Sequence, residues 1–205
     1  MRMFVTGTDT DVGKTVFAAA LAGALQASYW KPIQAGSLDH SDSDTVSELS
    51  GLPPERIFPE AYRLHTPCSP HRAAELDRTA VDCDSLEPPD VDPLIVEGAG
   101  GLMVPLTRQA LVIDLIDCWQ LPAVLVARTA LGTINHSLLS LSALASRGVS
   151  VIGIAFVGEA SPDSEEIICA LSGAKRLGRL PQLNPLDHDS LQRAFRDNFS
   201  LDDFR

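Results

Sequence analysis

Met3-Phe4-Val5, Gly7-Thr8-Asp9-Thr10-Asp11-Val12-Gly13-Lys14-Thr15 and Val16-Phe17-Ala18-Ala19-Ala20-Leu21-Ala22 together decide the fold. An apolar run, a tight loop ending Gly-Lys-Thr and a helical run are the strand, phosphate-binding loop and helix of a P-loop. The chain is therefore expected to bind a nucleoside triphosphate. Backbone N–H groups of the loop and of the helix N-terminus converge on the phosphates, where the helix dipole adds about half a positive charge. Gly13 lets the main chain come close, Lys14 reaches the β- and γ-phosphates, and the Thr15 hydroxyl suits an accompanying Mg²⁺. The spacing departs from G-x-x-x-x-G-K-T, because Thr8 stands where the first glycine belongs and Gly7 lies one residue earlier. The flanking strand and helix favour the P-loop over a turn followed by a chance Lys-Thr.

Working outward, short apolar runs alternate with helical stretches. Strands are expected at about 2–7, 28–34, 93–97, 122–127, 149–157 and 176–180, and helices at 13–27, 43–50, 71–77, 110–118, 134–147 and 163–173. That alternation predicts an α/β fold of the P-loop NTPase type, with a mostly parallel central sheet and helices on both faces. Leu94-Ile95-Val96, Ala123-Val124-Leu125-Val126-Ala127 and Val151-Ile152-Gly153-Ile154-Ala155-Phe156-Val157 read as strands covered on both sides. Residues 53–70 and the Pro-rich stretch 86–93 read as loops.

A chain of 205 residues fits one domain, 1–205, burying about 70% of its unfolded surface. The net charge of -11 disfavours nucleic acid and anionic membrane and suits a small cationic ligand. Cys68, Cys83, Cys118 and Cys169 are far apart and form no C-x-x-C pair. That pattern implies no zinc cage and fits a reducing compartment. With no signal peptide and no apolar stretch near about 18 residues, a cytoplasmic location is expected.

In such sheets ligands gather at the carboxyl ends of the strands. The second strand runs into Trp30-Lys31-Pro32-Ile33-Gln34-Ala35-Gly36, and a lysine within a buried sheet is costly unless it meets an anion. Asp39, Asp42 and Asp44 stand before or within a helix start, where capping and dipole complementation explain them and one could also reach Mg²⁺. Glu97 ends an apolar run and precedes Gly98-Ala99-Gly100-Gly101. A buried carboxylate there needs a cation, and nucleotide-bound Mg²⁺ is the available one. Leu131-Gly132-Thr133-Ile134-Asn135-His136 opens a helix whose free N–H groups suit a carboxylate, although plain capping explains it equally well. His71 alone carries no role.

Taken together, GTDTDVGKT at 7–15, WKPIQAG at 30–36, SDT at 43–45, SPHRAA at 69–74, EGAGG at 97–101, LGTINH at 131–136 and GRLP at 178–181 resemble the dethiobiotin synthetase family. The resemblance covers nearly the whole chain. It implies a homodimeric ligase that closes a cyclic urea on 7,8-diaminononanoate using CO₂ (or bicarbonate) and ATP, with Mg²⁺. By that resemblance Lys14 and Lys31 are catalytic, and Thr15, Asp44 and Glu97 hold the metal. The implied nucleotide contacts are Asp11, Val12, Gly13, Lys14, Thr15, Val16, Gly158, Leu180, Pro181, Gln182 and Leu183. Those implied for the diamine are Thr10, Asp11, Lys31, Ala35, Gly98, Gly100, Gly101, Gly132 and Asn135, with the 132–136 helix start coming from the other subunit.

The chain departs from the family pattern twice. Ala35 stands where Ser or Thr is usual, so one hydroxyl near the carbamate is missing. Gly158 replaces an asparagine that reads the adenine, so relaxed nucleotide selectivity is expected. Two rivals share the architecture. Partition and septum-site switch ATPases carry a signature lysine where this chain has Asp9, and cobyrinate-diamide-synthase-type ligases add a glutaminase domain for which 205 residues leave no room.

Overall fold

The computed structural model describes residues 1–36 and 39–204. Its first half contains β1 (Arg2–Gly7), α1 (Lys14–Leu25), β2 (Ser28–Trp30), β3 (Ile33–Ala35), α2 (Asp42–Ser50), β4 (Ile57–Phe58), β5 (Tyr62–Leu64) and α3 (Pro70–Leu76). The second half adds β6 (Leu94–Gly101), α4 (Val112–Trp119), β7 (Ala123–Arg128), α5 (Thr133–Ser146), β8 (Val151–Val157), α6 (Pro162–Ser172), β9 (Arg176–Leu180) and α7 (His188–Asn198).

Seven strands form one sheet in the order β4-β2-β6-β1-β7-β8-β9, and every pairing in it is parallel. β1 is central, so Met3, Phe4 and Val5 are fully buried, as strands covered on both faces should be. On one face Phe17, Leu21 and Ala20 of α1 pack with Val46 and Leu49 of α2 and Leu191 and Phe195 of α7. On the other, Phe4, Trp30 and Val96 pack against Ile113 and Ile116 of α4, while α5 and α6 cover β7 and β8 through Leu141 and Ile168.

Two expectations change. The strand expected at 28–34 breaks into β2 and β3, because Pro32 has no N–H to continue a ladder. β3 instead pairs with β5 in a separate two-stranded parallel sheet, so β4, β5 and a short 3₁₀ turn (Pro54–Arg56) lie inside the stretch read as loop. A further helix, α7, follows β9, where none was expected. Asp187 accepts from the Ser190 N–H in a capping box, and Leu191, Ala194 and Phe195 recur at helical spacing on its buried side.

Phe195 stacks on Phe199 at 4.7 Å and meets Phe17 and Phe204 near 6 Å, and a 3₁₀ turn (Leu201–Phe204) buries Phe204. Phe195→Ala is expected to cost about 3–5 kcal/mol in denaturant unfolding. A loss below about 1 kcal/mol would mean that the cluster contributes little packing.

Candidate active site

The loop after β1 turns with Asp11 at φ 56° and Gly13 at φ 91°, backbone conformations that short polar residues and glycine tolerate. Gly13 is doubly constrained, since a Cβ there would lie 2.7 Å from Val157 Cγ1. Lys14 Nζ donates to the loop's own Asp9 carbonyl at 2.8 Å. Burial pulls its pKa down, against the attraction of Glu97; it is a partly desolvated cation at the mouth of a phosphate loop.

Glu97 is the hub. Its β6 position lies level with Val5 of β1, one residue past the Trp30–Val96 pair that aligns β6 with β2, so it meets the ends of both strands. Fully buried, it accepts from Thr15 Oγ1 (2.8 Å) and Lys31 Nζ (3.2 Å) on Oε1 and from Tyr29 Oη (2.9 Å) on Oε2. Lys31 Nζ also lies 2.6 Å from Asp42 Oδ2. Burial is the largest single effect on Lys31 and would lower its pKa, yet Glu97 and Asp42 together outweigh it and leave the value raised. Burial and the neighbouring carboxylates push the Tyr29 phenol well up, so it remains a donor.

Two adjoining cavities meet at Lys31. One, about 300 Å³, is lined by Gly13, Lys14, Thr15, Lys31, Asp42 and Glu97. The other, about 530 Å³, shares Thr10, Asp11, Lys31, Asp42 and Gly100 with it and adds Ala35, Ser69 and others from β3 and the start of α3. A triphosphate loop thus opens onto a chamber with carboxylates and one lysine at the join, an arrangement able to present a second reactant to a γ-phosphate.

Residues 1–190 match a family described as an AAA domain. A ParA family ATPase from Chlorobium tepidum TLS (TM-score 0.50, 14% identity, covering 96% of this chain and 91% of that one) is similar in fold. So is the MinC:MinD cell division complex of Aquifex aeolicus (TM-score 0.51, 14%, 94% and 85%). At such identities the likeness shows the fold alone. Sequence relatives say more: ATP-dependent dethiobiotin synthetases of Rhodopseudomonas palustris BisB18 and Nitrobacter hamburgensis are 58% and 60% identical over 204 residues. These alignments cover 99% of this chain and 98% and 96% of theirs. The chain belongs to the ATP-dependent dethiobiotin synthetases. Its expected fold and ligase class hold, and ATP is its nucleotide.

Within this dethiobiotin synthetase framework several residues fall elsewhere than expected. Asp44 turns away from the cavities: its carboxylate accepts from the Ser41 N–H and hydroxyl in the α2 capping box. Asp42, two residues earlier, faces Lys31. The cation beside Glu97 is the Lys31 ammonium. Gly98 is not a cavity wall; a Cβ there would lie 2.7 Å from Phe4, and its carbonyl accepts from Lys31 at 3.4 Å. Gly101 lies against the Gly7 and Thr8 carbonyls on the far side of the loop. Gly132 and Asn135, exposed at the start of α5, line neither cavity.

Nor do Gly158, Leu180, Pro181, Gln182 and Leu183 line these cavities; Gly158 follows β8, Leu180 ends β9 and the other three follow it. Gly158 donates its N–H to the Leu180 carbonyl, and its own carbonyl accepts from Arg179 at 2.8 Å. Its N–H is thereby engaged, and its carbonyl keeps one further lone pair. A side chain is excluded there, because φ is 128° and a Cβ would lie 2.6 Å from Thr129 Oγ1. Tyr29 gave no signal in the sequence, because its partner Glu97 is distant in the chain; Ser69 and Arg179 lie in the SPHRAA and GRLP stretches, which by themselves assign them no role.

Proposed function

We propose that the enzyme closes the cyclic urea of dethiobiotin on 7,8-diaminononanoate with CO₂ and ATP, residues 1–205 acting as one domain. The observation that carries this reading is Lys31, placed between Glu97 and Asp42 where the triphosphate cavity opens into the chamber. One substrate amine captures CO₂ as a carbamate, whose oxygen is a poor leaving group. The γ-phosphoryl group of ATP converts it to a carbamic-phosphoric anhydride, and the second amine then attacks the carbonyl and expels phosphate. Positioning and charge neutralisation dominate, as in phosphoryl transfer generally.

Lys14 neutralises the γ-phosphate and Lys31 the carbamate and the transferring group. Thr10 and Asp11 face the diamine, and the carboxylates of Asp11 and Asp42 attract its positive charge. Thr15, Glu97 and Asp42 supply hard oxygen donors that fit Mg²⁺, an ion that completes its shell with phosphate oxygens and water. Bound there, Mg²⁺ neutralises triphosphate charge.

The enzyme acts as a homodimer in this reading. Met103 (62% exposed) and Leu139 (63%) border a groove with Thr8, Asp9 and Gly101 beside the phosphate loop, and Leu131 projects fully into solvent. A second copy on that face would cover this apolar surface and could bring its own Gly132 and Asn135 to the diamine's carboxylate. A cytoplasmic setting suits the four free cysteines; among the described residues no helix is long and apolar enough to cross a membrane.

Incubation with ¹³C-bicarbonate, the diamine and ATP should yield dethiobiotin carrying the label. Unlabelled product, or none, would refute the route. Because Gly158 has no side-chain amide to make a bidentate contact with the base, a contact worth only ~1–3 kcal/mol, kcat/KM for GTP and CTP is expected within about a hundredfold of that for ATP. A larger ATP preference would show that residues 180–183 discriminate by themselves.

A further inference from the structure

The diamine reaches its site with a proton problem. Aliphatic amines like that of lysine titrate near 10.4, so they arrive largely as ammonium ions, and an amine attacks a carbonyl only when neutral. Asp11 and Asp42 attract the ammonium, and Lys31 is itself held protonated by Glu97 and Asp42. Among the described residues, a serine–histidine pair also borders the chamber. Ser69 lines the 530 Å³ chamber, and its Oγ lies 3.0 Å from His71 Nδ1. Backbone contacts fix the histidine's place, because its N–H donates to the Pro105 carbonyl at 3.1 Å. An imidazole is the side chain suited to accept a proton near neutral pH.

We infer that Ser69 and His71 form a proton relay that takes the proton from the attacking amine of the substrate. This rests on the ring-closure reading above. The ammonium proton passes to Ser69 Oγ while the Ser69 proton passes to His71 Nδ1, and the resulting imidazolium later releases it to solvent. The lone pair so freed forms the new C–N bond as the C–O bond to phosphate breaks and its electron pair leaves on phosphate, which takes up the second N–H proton of the attacking nitrogen. Ser69 touches the substrate; His71 acts through it.

The charges around His71 are accounted for. On its own helix Arg72 and Glu75 pair with each other, and Arg108, from the segment that also supplies Pro105, holds the same Glu75 carboxylate. Across the chamber stand Asp11, Lys31 and Asp42. The Cys68 thiol, also on the wall, is turned to the Ser69 carbonyl at 3.7 Å.

The test is a pH–rate profile with diamine, bicarbonate and ATP for wild type, Ser69→Ala, Ser69→Thr, His71→Asn and His71→Ala. Ser69→Ala and His71→Asn should each lower kcat by about a hundredfold, the usual scale of general-base catalysis, leave KM for ATP unchanged, and flatten the acid limb. Ser69→Thr should keep the wild-type profile, and added imidazole should restore part of the rate to His71→Ala. The relay is overturned if Ser69→Ala and His71→Asn retain turnover and the acid limb. It is equally overturned if the loss leaves the pH profile unmoved and imidazole has no effect, the mark of a purely structural role. Wild-type protein that releases no ADP in response to the diamine would instead overturn the ring-closure reading itself.

Discussion

Replacing Lys31 by Gln is expected to lower kcat by about three orders of magnitude, ~4 kcal/mol of transition-state stabilisation at 1.36 kcal/mol per decade, while the ATP dissociation constant stays nearly unchanged. The split follows from position. Lys14, Thr15 and the loop backbone hold the triphosphate, whereas Lys31 stands at the junction with the second chamber. A glutamine amide can still donate to Glu97 and the Gly98 carbonyl, the two contacts Lys31 makes on β6. Stability should therefore fall by less than the about 3–5 kcal/mol of a broken buried ion pair. Isothermal titration with a non-hydrolysable triphosphate, beside steady-state turnover, separates the two effects. Equal losses in binding and turnover would return Lys31 to a purely structural part.

Glu97→Ala should do most harm. It removes the acceptor of three donors at once and leaves the Tyr29 hydroxyl buried with no partner. Breaking such a network costs about 3–5 kcal/mol, and Mg²⁺-dependent nucleotide binding should weaken together with it. Glu97→Gln distinguishes the causes, since the amide preserves shape and most hydrogen bonding but removes the charge. Lys31 then keeps Asp42 alone against its burial, so its pKa should fall from its raised value. The sign follows: in the wild type the stability from Lys31 is complete below its ordinary pKa of 10.5 and is lost only as pH rises through the higher folded value. Alkaline unfolding should therefore begin at lower pH in Glu97→Gln. An unaltered Mg²⁺ titration in both variants would remove Glu97 from the metal site.

Much of this was legible in residue order because the chemistry sits at strand ends. Each strand of the large sheet runs parallel to β1, so finding where an apolar run stops locates Gly13, Lys31 and Glu97 together. Less legible was anything requiring a side chain's direction. Asp42 and Asp44 lie two apart at one helix start, and only the capping hydrogen bonds to Ser41 show which of them is turned away. Pro32 was visible, yet its consequence, a separate β3–β5 sheet, depends on a partner about 29 residues later, Tyr62 paired with Ile33. α7 carried its capping box and apolar spacing in plain view; its short, charge-rich sequence concealed how much of Phe17 it covers.

The glycines divide in the same way. Of the three glycines in EGAGG only Gly100 borders the chamber, beside Ala99, while Gly98 makes room for Phe4 and Gly101 for the phosphate loop. A glycine-rich turn at a strand end does not reveal which neighbour each glycine accommodates. Gly158 looked like a missing adenine contact, and its conformation and the Thr129 hydroxyl explain why no asparagine could replace it without a shift of the local backbone.

The central claim, that the phosphate loop and the chamber joined at Lys31 act on one reaction, is tested most directly by ADP release measured with diaminononanoate and bicarbonate supplied separately and together. Release that requires both, with one ADP per dethiobiotin, is the predicted result. Steady ADP release in the absence of the diamine would contradict it and point to a nucleotide switch.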